Sequence, residues 1–379
     1  MIKDKDMKFI GKQFKRSEKS LLDIHNVYLG FMKGDGKGLL HSSVESYLSY
    51  DEDMRDLIIK NLKKVFSGKL DEKIFASSFV DSAYDNENSA YSILSGIENC
   101  DEYKFKNTCD KLSNCIVDNN VYDENVVLLA AQCSVHMDGV RRTLFVSTVC
   151  PVKLGEANFI FKGKTDKSDA SFELTSSMDS IINIKAPMDG ICYPILTNGT
   201  VLKESILYYS KKKNKPNTVF MSNVLGCNIE LTAEQENIFF NSILTEVSGG
   251  KLSGKELYTI YTHLRNNISE DEIEEDIEID RFEIKKALEK SNIPLKVEIE
   301  DAFKKIFGFD NYIFKAPNVL PPVEKKSITI TNDDASIQVK PDILKDMRQV
   351  QDENGQVFLM IPMTETAATN GVTLETERL

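Results

Sequence analysis

Apolar residues are densest between positions 126 and 152, where the chain reads VVLLAAQCSVHMDGVRRTLFVSTVCPV. Two apolar runs rich in Val, Leu and Phe flank Asp138-Gly139, the composition of a two-residue type I′ turn, and predict an antiparallel hairpin. That turn sets Met137 opposite Val140, Cys133 opposite Leu144 and Cys150 opposite Val127. The two cysteines then sit six residues apart along the ladder, roughly 20 Å at about 3.3 Å per residue, far beyond the roughly 7 Å Cα separation a disulfide tolerates. Nor can they share one metal ion. Both fall on the face of Val127, Leu129, Ala131, Val135, Leu144 and Val146, where a thiol behaves as a small hydrophobe. His136, beside Arg141 and Arg142 at the tip, reads as a solvated turn residue.

The β pattern continues through ANFIF, IINIKAP, GICYPIL and ESILYYS, with turn signals at Asp189-Gly190 and Asn198-Gly199. Residues 126–228 are therefore expected to form a β-rich core. Upstream, Leu57, Ile58, Leu62, Val65 and Phe66 recur near helical spacing before Gly68, and 1–79 reads as an N-terminal helical region. Residues 80–125 mix Asn, Ser and Asp around one helical stretch near Tyr103–Ile116. Downstream, 229–316 predicts three helices, each opening on a capping box: Thr232 with Gln235, Ser253 with Glu256, and Ser269 with Glu272. The expected class is α+β, with N-terminal helices, a central mostly antiparallel sheet, C-terminal helices and a small β tail.

That tail spans 317–363 and begins with the Pro-rich link APNVLPP. SITIT, SIQVK, MRQVQ and QVFLMIP follow as strands, the last two joined through Glu353-Asn354-Gly355, and 364–379 is expected to be a loosely ordered end. The tail has too few apolar residues for a core of its own, so it should dock on the rest of the chain or on a second copy. In VFLMI, Val357, Leu359 and Ile361 alternate with Phe358 and Met360, so both faces of this strand call for cover.

The 379 residues carry a formal net charge of −12, which disfavours nucleic acid and anionic lipid over the surface as a whole. A local basic patch is the exception to weigh. The first twenty residues hold seven Lys and Arg, and Lys211, Lys212, Lys213 and Lys215 follow Tyr208 and Tyr209, a combination able to grip phosphates and stack bases. The plain alternative is a solvated loop leaving a strand. Seven cysteines without a CxxC pair fit free thiols in a reducing compartment. With no secretory signal and no long apolar run, the expectation is a cytoplasmic protein with no membrane contact.

Other apparent motifs weaken on inspection. GGKLSGKE has phosphate-loop spacing at Gly249, Gly254 and Lys255, yet Glu256 replaces the Ser or Thr that holds magnesium, and a helix precedes it. It reads as a helix end followed by a cap. GDGKG, at Gly34, Gly36 and Gly38, is a turn. His25, His41, His136 and His263 stand singly, and the acidic run Glu270–Asp280, interrupted by Ile273, Ile277 and Ile279, reads as a solvated helix face. No catalytic, cofactor-binding or metal-ligating residue is assigned, no cofactor is expected, and whether the protein is an enzyme is left open.

FVSTVCPVKL, APMDGICYPILTNGTVLKESILYYSKK, NVLGCNIELTAEQE and IQVKPDILKDMRQVQDENGQVFLMIP together resemble the bacterial domain of unknown function 4317 family, found largely in Firmicutes. The resemblance covers most of the chain, and its most specific parts are Cys150-Pro151-Val152, Tyr208-Tyr209 and Leu225-Gly226-Cys227. It implies a bacterial intracellular protein and brings no activity, cofactor or site residue. The layout alone is also similar to nucleoid-associated proteins of the 37-kilodalton class, an analogy without shared motifs. The leading expectation is a non-enzymatic binding or regulatory protein whose partner is another protein or a second copy. The first alternative is a nucleoid-type DNA binder using Lys211, Lys212, Lys213, Lys215, Tyr208 and Tyr209; the second is an enzyme whose site is assembled from distant residues.

Overall fold

A computed structural model describes residues 2–17, 19–34, 38–87, 89–137, 139–154, 160–162, 171–173, 182–184, 186–197, 200–266, 277–321, 327–363, 368–369 and 372–373. The fold is α+β, and the chain divides into two compact units, Met1–Ala233 and Glu234–Leu379.

The first unit opens with α1 (Asp4–Gln13), β1 (Leu22–Met32), β2 (Leu39–Ser46), α2 (Glu52–Leu62) and β3 (Ile74–Ser78). Three strands, β1, β2 and β3, thus lie within residues 1–79, the region read from the sequence as helical. β1 and β2 form a hairpin, in which Tyr28 faces Val44 and Gly30 faces Ser42; residues 35–37 of the GDGKG stretch between them lie outside the described residues. Short helices α3 (Asp81–Tyr84) and α4 (Ala90–Ser95) lead into α5 (Glu102–Asp118), capped by Asp101, whose carboxylate accepts from the Lys104 amide at 2.8 Å. This is the helix read from the sequence near Tyr103–Ile116.

The predicted hairpin follows as β4 (Val126–Met137) and β5 (Val140–Leu154), in the expected register: Met137 on Val140, Cys133 on Leu144, Val127 on Cys150. Asp138 lies outside the described residues, while Gly139 takes the positive φ of 75° that the turn needs. Three short strands, β6 (Ile160–Lys162), β7 (Ser171–Glu173) and β8 (Ile182–Ile184), precede β9 (Asp189–Tyr193), β10 (Ile195–Thr197), β11 (Thr200–Leu202) and β12 (Ser205–Ser210). The main sheet runs β2-β1-β4-β5-β9-β12-β3, with β8 added to β5. Asp189-Gly190, read as a turn, instead begins β9. A Cβ at Gly190 would lie 2.8 Å from Val65 Cγ2 and 2.9 Å from the Ser147 carbonyl oxygen, so this glycine permits close packing of neighbours. Asn198-Gly199 lies outside the described residues, between two strands that pair as Thr197 on Thr200.

Helices cover both faces of the sheet. On one side Met7 and Ile10 of α1 and Met54, Ile58 and Leu62 of α2 pack with Val127, Leu129, Ala131, Cys133, Leu144 and Cys150. On the other, Phe105, Cys109, Leu112 and Ile116 of α5 pack with Leu128, Ala130, Phe145 and Val149. The double cover explains why β4 is apolar at nearly every position rather than at alternate ones.

In the second unit α6 (Ala233–Ser248) follows Thr232, and α7 (Gly254–Asn266) opens on the predicted Ser253–Glu256 box, with the Glu256 amide donating to Ser253 Oγ at 3.2 Å and the Ser253 amide to Glu256 Oε2 at 2.7 Å. Between them Gly250 donates to the Thr245 carbonyl and Gly249 to that of Glu246, a Schellman ending rather than a phosphate loop. The third helix departs from expectation. Ser269 and Glu272 lie outside the described residues, as does most of the acidic run; Glu278–Ile279 form β13, and the helix α8 (Arg281–Lys290) starts at a different box, Asp280 with Glu283. The carboxylate of Asp280 accepts from two amides, Phe282 and Glu283, satisfying two of the donors a helix start leaves unpaired.

The unit continues with α9 (Ile299–Phe307), β14 (Phe314–Lys315), which pairs with β13, and α10 (Ala316–Val319). Its core gathers Phe240, Leu244, Ile260, Leu264, Ile284, Leu288, Phe303 and Phe314. Ala316, Val319 and Leu320 are buried in that core, so the first half of the Pro-rich stretch is a packed turn of helix and not a free link. The tail then forms two hairpins, β15 (Ile328–Thr331) with β16 (Ser336–Val339) and β17 (Arg348–Gln351) with β18 (Val357–Met360). Beyond them β19 (Ala368–Thr369) pairs with β20 (Val372–Thr373), inside the stretch expected to be loose.

Candidate interaction surface

The residues singled out for nucleic acid part company in the structure. β12 is an interior strand between β9 and β3, so its side chains point into covered faces. Tyr208 is fully buried, its ring 6.0 Å from that of Phe75 and 5.9 Å from that of Phe220. Its hydroxyl donates to Asp189 Oδ1 and accepts from the Asn217 amide at 2.8 Å, while Tyr122 donates to Asp189 Oδ2 at 2.8 Å. Burial raises the Asp189 pKa, opposed by these tyrosine hydrogen bonds. Tyr209 is buried in the opposite face. Neither ring can stack on a base. Lys211, Lys212, Lys213 and Lys215 do lie exposed together on the following loop, with Lys213 paired to Glu72 at 3.0 Å.

Cys133 and Cys150 are buried as expected, and burial pushes both thiols upward, Cys150 to about 12, so neither supplies a thiolate near neutral pH. Among the described residues no group of three His, Cys, Asp or Glu could hold a metal ion, and no helix is long and apolar enough to cross a membrane. His136 is exposed at the hairpin end, with Nε2 3.5 Å from Asp23 Oδ2.

One hydroxyl–imidazole pair was not anticipated: His25 Nε2 lies 2.8 Å from Ser134 Oγ, bordering a cleft of about 330 Å³. Arg141 Nη2 sits 2.8 Å from the same nitrogen. A guanidinium only donates, so Nε2 must accept from it and is occupied as a base. Burial first, and the Arg141 charge second, lower the His25 pKa. Ser134 is itself buried in β4. Two charged residues of the lining are engaged as well, Arg16 with Glu52 and Asp56, and Asp23 with His136.

The tail presents a different situation. In β15–β16, Ile328 faces Val339 and Ile330 faces Ile337, placing the apolar side chains on one face. Ile328, Ile330 and Val339 pack into a small cluster with Leu344, Met347 and Tyr258 of α7, and the outer face carries Thr329, Thr331, Ser336 and Gln338. The turn Pro341–Lys345 lies close on α7: a Cβ at Gly254 would fall 2.6 Å from the Leu344 carbonyl oxygen. The tail therefore docks on its own unit through this cluster.

β17–β18 begins just after Met347 and ends just before Ile361, both attached to that cluster. Its turn is well built: Asp352 Oδ1 accepts from the Asn354 and Gln356 amides, Gln351 Nε2 donates to the Gly355 carbonyl, and Gly355 has φ 83°. The register, Val350 on Phe358 and Gln349 on Leu359, puts Val350, Phe358 and Met360 on one face and Val357 and Leu359 on the other. All five are exposed: Val357 55%, Phe358 45%, Met360 40%, Leu359 38% and Val350 37%. An apolar ribbon held in shape and solvated on both faces departs from ordinary soluble surface chemistry. The sequence signal for it was the unbroken VFLMI run.

No curated protein and no solved structure matches this chain. A family model, described as a domain of unknown function (DUF4317), matches residues 1–372. That match spans both units and the tail ribbon, and the chain belongs to the DUF4317 family.

Proposed function

We propose that the chain is a non-enzymatic binding or regulatory protein that acts through protein–protein contacts made by the β17–β18 ribbon. The observation that carries this reading is the exposure of Val350, Val357, Phe358, Leu359 and Met360 on both faces of a ribbon whose turn is held by hydrogen bonds to Asp352. Covering such surface yields about 25 cal/mol per Å², and a preformed ribbon loses little conformational entropy when it is covered. The neighbouring β15–β16 hairpin, with a polar outer face, offers no comparable gain.

The test is the double variant Val350→Lys/Phe358→Lys in the full chain. It is expected to unfold at the same denaturant concentration as the wild type, because neither side chain is in a core, and to elute from native cell extract at a smaller apparent size. An unchanged elution size would refute the proposal.

A further inference from the structure

We infer that the first unit carries a docking surface for the phosphate backbone of duplex DNA, built from two basic loops at one end of its sheet. The inference is independent of the ribbon. β12 and β3 pair antiparallel, with Tyr209 on Ile74, so the loop leaving β12 and the turn entering β3 meet at the same end. There the Ser210 amide donates to the Lys73 carbonyl at 2.8 Å, the Lys211 amide to that of Met188 at 2.8 Å and the Asn214 amide to that of Glu72 at 2.7 Å. Ser210 Oγ donates to the Lys215 carbonyl at 3.0 Å. The loop is pinned to its neighbours.

This pinning sets half-buried Lys69 and Lys73 beside exposed Lys211, Lys212, Lys213 and Lys215, a grouping that their places in the sequence do not reveal. Among the described residues only Lys213 of the six has an ion-pair partner, Glu72 at 3.0 Å. The other carboxylate of the turn, Asp71, is buried. Five lysine charges therefore face solvent without a partner. The net charge of −12 does not cancel them, because at physiological salt a field is screened within about 8 Å and the local surplus governs contact.

The chemistry of the surface selects its partner. Over residues 69–73 and 211–217 no large apolar side chain is exposed. The centres of protein–protein interfaces are rich in aromatic residues and poor in lysine, whereas surfaces that meet DNA are polar and strongly positive. A basic patch without an apolar or lipid anchor beside it supplies one of the two signals that hold a protein on a membrane. Single strands are gripped by aromatic rings that stack on their bases, and the rings nearest these lysines, Tyr208 and Tyr209, are buried. What remains is a set of point charges able to meet the backbone of a duplex, without reading its sequence.

Binding of the full chain to a short DNA duplex, measured from about 50 to about 200 mM salt, reads the outcome, with an expected log–log slope of about −4 to −5 because each phosphate contact contributes about 0.9. Two duplexes of unrelated sequence should bind alike. Lys211→Gln/Lys212→Gln should weaken binding and flatten the slope by about 1.8. Lys104→Gln/Lys111→Gln, which makes the same change in net charge at exposed positions of α5, should leave both unchanged. A variant that had only lost folded protein would lower the bound fraction without altering the slope. Phosphatidylglycerol vesicles and polyglutamate should bind more weakly than the duplex at the same salt. No duplex binding at about 50 mM salt, an unaltered slope in the loop variant, an equal loss in the α5 variant, or vesicles or polyglutamate bound as tightly as the duplex overturns the inference.

Discussion

The β4–β5 hairpin and the β17–β18 ribbon are written in the same code. Each has apolar residues on both faces, each closes through a glycine with positive φ, and each adopts the register its turn dictates. Their surroundings are opposite. β4 is buried from Val126 through Val135 under α1 and α2 on one side and α5 on the other, whereas every residue of β18 is exposed. A strand apolar on both faces thus states a requirement for two covers without saying what supplies them. For the central hairpin the same chain does so; for the tail ribbon, the proposal is that another chain does.

The largest effects should separate the two hairpins by stability. Phe145→Ala, which empties a fully buried site against Phe105 of α5, is expected to cost roughly 3–5 kcal/mol. Phe358→Ala should change monomer stability by less than about 0.5 kcal/mol. Urea unfolding at low protein concentration measures both, and equal losses would break the comparison.

Intermediate effects concern the thiols and the tail's attachment. Cys133→Ala and Cys150→Ala should each cost about 1–2 kcal/mol through lost packing and leave metal content unchanged; loss of stoichiometric zinc in either variant would contradict their role as core thiols. Gly254→Val places side-chain atoms where the Leu344 carbonyl oxygen lies, 2.6 Å from the Cβ position. It should loosen the tail, read as faster limited proteolysis between Pro321 and Ile328 with the first unit's unfolding unaltered.

The smallest effect is electrostatic. Burial and Arg141 lower the His25 pKa below the ordinary 6.5, so the unfolded chain binds this proton more readily than the folded one. Its contribution to stability is present above that ordinary value and is lost as pH falls through the folded-state value. His25→Gln should flatten the stability profile on the acid side of neutrality, and a profile identical to wild type would remove His25 from the account.

Much of this fold was legible because local patterns had one solution. Asp138-Gly139 between apolar runs fixed a register that placed Cys133 and Cys150 correctly, and Ser253 with Glu256 fixed the start of α7. Where a local signal had competitors, legibility failed. The run 269–291 reads as one helix from Ser269; β13 at Glu278–Ile279 falls inside it, and α8 opens at Asp280, whose carboxylate accepts from two amides. β1, LDIHNVYLGFM, is buried at four successive positions, Val27 to Gly30, rather than at alternate ones, so its period was hidden beside the stronger helical pattern of α2. Tyr208 and Tyr209 looked like partners of the following lysines because they are adjacent in sequence; their burial comes from the strands on either side of β12, supplied from positions 74–78 and 189–193. The ribbon was half legible: VFLMI announced two apolar faces, while the packing of Ile328, Ile330 and Val339 against Tyr258, which leaves that ribbon uncovered, depends on tertiary contacts.

The central claim is that the exposed ribbon is covered by protein in the cell. Its most direct test places a photo-reactive amino acid at position 358, and separately at position 329 on the polar face of β15–β16, followed by irradiation of living cells. The account predicts a discrete crosslinked species from position 358 and none from 329. Equal yields from both positions, or no crosslink from 358, would contradict it.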